Sequence, residues 1–262
     1  MSKKKPLVVV KYGSSSVTNE FGMDHGRLHE HVHRLKKIHE NFGLVVVSSG
    51  SVAVGNALWD EARTNRRARR PSLQSVATLG SGRAFTAWQA AFDKRNMLAG
   101  QILVTHRELQ DPKELPVLQQ TLCTNLGADI VSVVNENDAL SDEELARLTY
   151  GGDNDGLAAH IAKILRAKKL VILTDEDGLL DDDGRLVGRL TASQEDKQRA
   201  LSYVNNIENA VPVKGRGGMR TKIEAGYDVV FDGIDAHIAS ADADLKRVIA
   251  GSEGTYIVAK AA

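Results

Sequence analysis

Short runs of β-branched and aliphatic residues recur along the chain at 7–10, 44–47, 102–104, 130–134, 170–173 and 237–239. Each is too short for a helix, and none alternates strictly between apolar and polar positions. That pattern predicts strands buried on both faces of a mainly parallel sheet. Between the runs the apolar period lengthens. Over 24–42, Leu28, Val32, Leu35 and Phe42 fall on one stripe at helical spacing, with Asp24 placed to cap the helix start. Over 153–167, Leu157, Ile161, Ile164 and Leu165 form a second apolar face, and the alanines between them favour helix. Strand and helix alternating over the whole length predict an α/β fold, a three-layer αβα sandwich with a mainly parallel central sheet. One segment breaks the alternation. Residues 179–190, with Asp183-Gly184 between Asp182 and Arg185, read as a β-hairpin with a tight turn.

The chain has 262 residues, enough for one large domain or two small ones at roughly 150 residues each. No internal repeat, low-complexity tract or Pro/Gly/Ser linker divides it, so 1–262 is expected to form one domain. Hydrophobic residues make up 42% and charged residues 26%, which argues against disorder and fibrous architectures. Lys plus Arg number 34 and Asp plus Glu number 34. With no net charge, no global field draws the chain to nucleic acid or anionic lipid. Lys3-Lys4-Lys5 before the run at 7–10 has too few apolar residues behind it for a secretory signal. No stretch approaches the roughly eighteen apolar residues of a membrane-spanning helix, and the expected address is the cytoplasm. Cys123 is the single cysteine. It permits neither an internal disulfide nor a multi-thiolate zinc site, in keeping with a reducing compartment, and is expected to be an ordinary buried small residue.

In open α/β sheets chemistry sits at the carboxyl ends of the strands. The first strand leads into Lys11-Tyr12-Gly13-Ser14-Ser15-Ser16, where glycine amides, hydroxyls and a lysine suit a phosphate, or form only a solvated turn. The second leads into Ser48-Ser49-Gly50-Ser51-Val52-Ala53-Val54-Gly55, again a glycine loop opening into a helix. After the run at 130–134 stand Asn135-Glu136-Asn137-Asp138, a set that suits an ammonium group or serves as a polar turn before a capping box at 141–144. In Gly151-Gly152-Asp153-Asn154-Asp155, Asp153 is also a plausible N-cap for the alanine-rich helix. Thr174-Asp175-Glu176-Asp177-Gly178 offers an acid for a ribose hydroxyl or an Asx turn. Finally, Lys214-Gly215-Arg216-Gly217-Gly218-Met219-Arg220-Thr221-Lys222 sets glycines and cations at the start of a helix carrying Met219, Ile223 and Tyr227 on one face, which looks like a phosphate site. There is no Walker A sequence and no GxGxxG. A protein-kinase HRD loop and a Gly-x-Ser-x-Gly elbow are absent as well.

In order, these stretches resemble the amino acid kinase family, and within it the branch that acts on L-glutamate. VVVKYGSSSV at 8–17 is similar to the family's Val-Val-Lys-x-Gly-Thr-Ser opening, and 48–55 to its Thr-Ser-Gly-Ala-Ile-Ala-x-Gly loop. NENDA at 135–139, GDNDGL at 152–157, LTDEDGL at 173–179 and GGMRTK at 217–222 follow with the family's spacing. The NENDA and Ser49-Gly50 stretches separate this branch from the aspartate-specific one, whose opening also resembles KYGSSSV. Two departures stand out. Many relatives carry a C-terminal PUA domain of roughly a hundred residues, for which ordinary domain sizes leave no room here. Where the family has Asn-Ala-Arg before the NENDA strand, this chain has Val117-Leu118-Gln119.

The resemblance implies an amino acid kinase-like fold, with approximately 1–165 on the amino-acid side and approximately 166–262 on the nucleotide side. It implies ATP-dependent phosphorylation of the L-glutamate side-chain carboxylate to L-glutamyl 5-phosphate, the first step of proline synthesis, with Mg2+ bound to ATP. Lys11 and Lys222 would flank the transferring phosphoryl group and Asp155 would orient both. Ser49, Gly50, Asn135, Asp138, Asp153 and Asn154 would hold the amino acid. Lys11, Gly13, Ser14, Thr174, Asp175, Gly217, Gly218, Met219 and Lys222 would hold the nucleotide. No protein ligand set for a metal is implied, since magnesium keeps waters and substrate phosphates as ligands. Feedback by L-proline and assembly into a dimer or tetramer follow from the same resemblance. Other readings are an acyl-phosphate kinase for aspartate or N-acetylglutamate, a catalytically silent amino-acid or nucleotide sensor, and an RNA-binding relic.

Four further features have bland explanations. His29-Glu30-His31-Val32-His33 matches HExxH, but His29 and His33 flank the 28/32/35 core stripe, as a polar helix flank would. His39 lies within that stripe and is expected to be partly buried and hydrogen-bonded. Arg63, Arg66, Arg67, Arg69 and Arg70 form a basic run with only Trp59 nearby for base stacking, so a solvated loop is expected. Asp181-Asp182-Asp183-Gly184 lacks EF-hand spacing and reads as a turn.

Overall fold

Five of the six apolar runs become inner strands of an eight-stranded sheet, whereas the run at 102–104, expected to be buried on both faces, lies in an edge strand, Leu98–Val104, that is paired on one side and largely uncovered. The computed structural model describes residues 5–62, 69–141, 154–210 and 218–259. The strands are β1 (Leu7–Tyr12), β2 (Thr18–Asn19), β3 (Gly22–Met23), β4 (Gly43–Ser48), β5 (Leu98–Val104), β6 (Ile130–Glu136), β7 (Lys169–Thr174), β8 (Arg189–Thr191), β9 (Asp235–Ser240) and β10 (Thr255–Val258). The helices are α1 (Ser14–Val17), α2 (His25–His39), α3 (Ser51–Ala62), α4 (Leu73–Asp93), α5 (His106–Gln110), α6 (Glu114–Gly127), α7 (Asn154–Ile164), α8 (Gln194–Ala210), α9 (Met219–Val230) and α10 (Leu245–Ile249). No helix among the described residues is long and apolar enough to cross a membrane.

The strand order is β5-β6-β4-β1-β7-β9-β10-β8, and β5, β6, β4, β1, β7 and β9 run parallel. β10 is antiparallel to β9 and parallel to β8, so the sheet is mainly parallel, as its unalternating runs predict. Successive residues of β1 feed two separate cores. Val8, Val10 and Tyr12 join α2, α4 and α10 on one face, while Val9 joins α6, α7 and α9 on the other. This is the three-layer αβα arrangement that the alternation implies.

The helix expected over 24–42 runs from His25 to His39, and the Asp24 carboxylate caps it by accepting from Arg27 N at 3.0 Å. Two further expectations need correcting. In 179–190 the turn forms, with Gly184 N donating to Asp181 O at 3.0 Å, but only Leu180 and Leu186 pair across it. Arg189–Thr191 then leaves to pair with β10, which removes the partner a longer hairpin needs. Cys123 is exposed, not buried. The inward face of α6 carries Leu118 and Leu122, and one further residue turns the thiol roughly 100° away from it.

The decoys take ordinary places. His29 Nε2 meets Lys94 Nζ at 2.7 Å. His39 is buried against Asp129 at 3.1 Å. Arg70 pairs with Asp60 at 3.3 Å. Arg63, Arg66 and Arg67, like the capping box at 141–144 beyond Ser141, lie outside the described residues.

Candidate active site

β6, β4, β1 and β7 are neighbours in the sheet, and their carboxyl ends open on one cavity of about 490 Å³. Lys11 has the same parity as Val9, so β1 sends it to the face that α7 covers. α7 packs there through Leu157, Ala158 and Ile161, which brings Asp155 in its first turn above the strand end. α9 arrives from the C-terminal part of the chain with Lys222 in its own first turn.

These three side chains form one ionic group. Lys11 Nζ lies 2.6 Å from Asp155 Oδ1, and Lys222 Nζ lies 3.2 Å from Asp155 Oδ2. Thr221 donates its hydroxyl to the same Oδ2 at 2.8 Å. The residues are only 5%, 1% and 6% exposed for Lys11, Asp155 and Lys222. Burial alone would raise the Asp155 pKa, but the ammonium groups of Lys11 and Lys222 outweigh it and hold the carboxyl below its ordinary range. Asp155 is therefore an anion at neutral pH set between two lysines, and Glu136, Asp138 and Asp175 line the same cavity.

A second network lies on the other side. Gly50, at φ 115°, turns the chain from β4 into α3, a conformation that L side chains rarely adopt. A Cβ there would also crowd Thr18 Cγ2 at 3.1 Å. The turn presents Ser49 and Ser51 on either side of it. Asn154 directs its amide at Ser49 Oγ, 2.6 Å away, and at Asn135 Oδ1, 3.1 Å away. Asn135 in turn donates to Ser51 Oγ at 2.7 Å. The Glu136 carboxylate accepts from the Ser141 hydroxyl. One wall thus bears amides, hydroxyls and acids, which can hold an ammonium and a carboxylate. The other bears lysines and the Gly13-Ser14-Ser15 loop.

Of the residues singled out in the sequence, Lys11, Gly13, Ser14, Ser49, Gly50 and Asp138 line this cavity. Asn154, Asp155, Thr174, Asp175 and Lys222 do so as well. Thr174 donates to Asp175 Oδ1 at 3.0 Å. Asn135 stands behind the wall and acts through Ser51 and Asn154. Gly218 caps α9 and receives Thr221 Oγ1 at 3.0 Å. Met219 packs against the apolar core. Asp153 and Gly217 lie outside the described residues. Thr221, Glu136 and Ser51 stood within the stretches read from the sequence without a role of their own. Thr221 carried a usable signal, since it precedes Lys222 in the same first turn. Gln119, in the segment that departs from the family pattern, donates to Ile164 O at 2.7 Å and ties α6 to α7.

The model of the amino acid kinase family matches residues 6–240. A glutamate 5-kinase of Alcanivorax borkumensis is 35% identical over 237 residues, covering 88% of this chain and 60% of the relative. One from Nitrosococcus oceani is 35% identical over 250 residues, covering 93% and 64%. The chain thus spans less than two thirds of the length of these curated relatives. Among solved structures, Giardia lamblia carbamate kinase bound to AMP-PNP superposes with a TM-score of 0.66 at 15% identity, over 98% of this chain and 99% of that one. Neisseria gonorrhoeae N-acetylglutamate synthase, complexed with coenzyme A and N-acetyl-glutamate, gives 0.66 at 17% identity, over 99% and 61%. At such identities these two show the fold alone.

Proposed function

The chain belongs to the amino acid kinase family, and from that premise we propose that it transfers the γ-phosphoryl group of ATP to the side-chain carboxylate of L-glutamate, releasing ADP and L-glutamyl 5-phosphate. The observation that carries this reading is the buried Lys11–Asp155–Lys222 group at the mouth of the shared cavity. The curated relatives supply the choice of glutamate.

A glutamate side chain has a pKa of about 4.3, so at neutral pH it is already a nucleophile and needs no general base. Catalysis then reduces to alignment and to stabilising negative charge on the transferring group. Lys11 and Lys222 supply that charge, and Asp155 holds both ammonium groups at fixed positions, so little reorganisation is needed during transfer. Ser49, Asn154, Asn135 and Asp138, with Asp153, orient the amino acid so that its side-chain carboxylate faces the lysines. Thr174, Asp175 and the Gly217–Lys222 segment hold the nucleotide beyond them. The division at about residue 165 into an amino-acid side and a nucleotide side belongs to this proposal.

A cavity of about 490 Å³ falls within the usual range for small-molecule sites. Asp175, which lines the cavity beside Thr174, suits a hydrated magnesium ion that would arrive with ATP. Bound there, magnesium would offset charge on the β- and γ-phosphates. The proposal extends to a cytoplasmic homo-oligomer inhibited by L-proline, on the strength of the family resemblance.

The test is ATP consumption with magnesium and L-glutamate, L-aspartate, N-acetyl-L-glutamate or no acceptor, with hydroxylamine trapping any acyl phosphate. Hydroxamate with L-glutamate alone is the expected result. Product with another acid would keep the reaction class and change the substrate. Silence from a folded chain would favour an amino-acid or nucleotide sensor.

A further inference from the structure

One face of α2 points at the loop that follows β1, and its polar residues have no part in the chemistry described so far. Arg27, His31 and Arg34 stand at i, i+4 and i+7, so they share one side of the helix. Three consecutive carbonyls of the loop accept donors from this region. Arg27 Nη1 donates to Ser15 O at 2.9 Å, His31 Nε2 to Ser16 O at 2.8 Å, and Asp24 N to Val17 O at 2.9 Å. The Arg27 bond is exposed, whereas the His31 bond is buried, with the ring also set against Tyr12 at 4.7 Å between centroids.

Carbonyls and amides of one helical turn point in opposite directions along its axis. Holding the carbonyls of 15–17 on α2 therefore turns the amide side of the loop the other way, and Gly13, Ser14 and Ser15 line the cavity beside Lys11. Arg34 extends the grip. Its Nη1 lies 3.5 Å from His31 Nδ1, which leaves Nε2 as the protonated ring nitrogen, and it donates to Ala241 O at 3.3 Å. Ala241 N then donates to Thr174 O at 2.7 Å, at the end of β7 on the same cavity. Burial outweighs the bond to Ser16 and, with Arg34 and Arg27, lowers the His31 pKa against the opposing pull of Asp242, so the ring stays neutral.

We propose that His31, backed by Arg34, is a positioning residue that fixes the anion-binding loop after β1 and ties it to the β7 end across the nucleotide side of the cavity. As a statement about phosphoryl transfer this rests on the function proposed above. As a statement about the loop it does not.

The experiment compares the full chain with His31→Leu, which has no donor, and His31→Gln, whose amide nitrogen restores one near Nε2. Turnover is read as hydroxamate with ATP and L-glutamate, nucleotide affinity with AMP-PNP by calorimetry, and loop order by amide exchange at 13–17. His31→Leu is expected to lower kcat/KM for ATP by about ten- to a hundredfold, the scale of a small misplacement of reacting groups. It should weaken AMP-PNP binding and speed exchange in the loop, while KM for L-glutamate stays within about twofold. His31→Gln should recover most of the loss. Wild-type values in a folded His31→Leu chain would overturn the proposal. Equal impairment in both variants would also do so, since the ring would then act only through packing. Should His31→Leu fail to fold, Arg34→Met is expected to move the same readouts in the same direction, and no movement would overturn the tie to β7. Should the wild-type chain make no hydroxamate, the proposed reaction falls, while AMP-PNP affinity and loop exchange still decide the role of His31.

Discussion

Asp155 lets two lysines from distant parts of the chain share a nearly dry cavity edge. Without its carboxylate their ammonium groups would repel one another at a distance where screening is weak. The two cations are not equivalent in their dependence on it. Lys222 also lies 3.4 Å from Gly218 O, whereas Lys11 makes the shorter contact with Asp155, at 2.6 Å. Lys222→Ala removes one stabiliser of transition-state charge and leaves Lys11 and Asp155 paired. Its expected effect is a loss of about 10²- to 10³-fold in turnover with the fold intact, read by hydroxamate formation and circular dichroism. Turnover near wild type would remove Lys222 from the reaction. The lysines were legible as cations in glycine loops at a strand end and a helix start, whereas the aspartate was legible only through the order of motifs. Nothing in the local pattern distinguishes Asp155 from Asp153 in the same short stretch, because the choice depends on how α7 sits on β1.

Two glycines of α4 show how an element sets the site without touching substrate. A Cβ on Gly80 would lie 1.9 Å from Ser51 O and 2.6 Å from Gly55 N, so α3 and α4 cross with backbone against backbone. Ser51 is the first residue of α3 and the partner of Asn135, and any separation of the helices displaces the amide-and-hydroxyl wall of the cavity. Gly80→Ala is expected to cost about 1–3 kcal/mol, the usual range for overpacking, and to raise KM for L-glutamate more than KM for ATP. Gly82 in the same helix is exposed, and its added Cβ would meet nothing within 4 Å. Gly82→Ala should stabilise by up to about 1 kcal/mol through helix propensity alone. Urea unfolding of the pair reads the contrast, and equal effects would refute the crossing. In the sequence these glycines simply weaken the helical signal, since the close approach belongs to tertiary packing. α2 was legible because its apolar stripe and cap are local, and β8 and β10 were not because three or four residues carry too little pattern.

At the scale of the whole molecule, the inner strands were legible because a parallel sheet covered on both faces demands uninterrupted apolar runs. What those runs hide is the polar residue set among them. His237 lies in β9 and is fully buried. Burial first, and then Lys169, whose Nζ lies 3.5 Å from Nε2, bring its pKa from the ordinary 6.5 down to about 3 against the opposing pull of Asp235 and of the Val248 backbone. The folded chain therefore keeps this ring neutral while the unfolded chain protonates it below about pH 6.5. Between pH 6.5 and 3 the unfolded state binds more protons, so stability rises with pH across that window and is lost as pH falls through it. His31 and His160 are also lowered by burial and add slope of the same sign. The ceiling for one such histidine is about 1.4 kcal/mol per pH unit. Urea midpoints should change little from pH 7.5 to 6.5 and fall from 6.5 to 5.5 in the wild-type chain, and fall less steeply in His237→Leu, whose intercept also carries the packing change. The slope, not the absolute stability, is the decisive reading, and equal slopes would mean that His237 takes up its proton without unfolding.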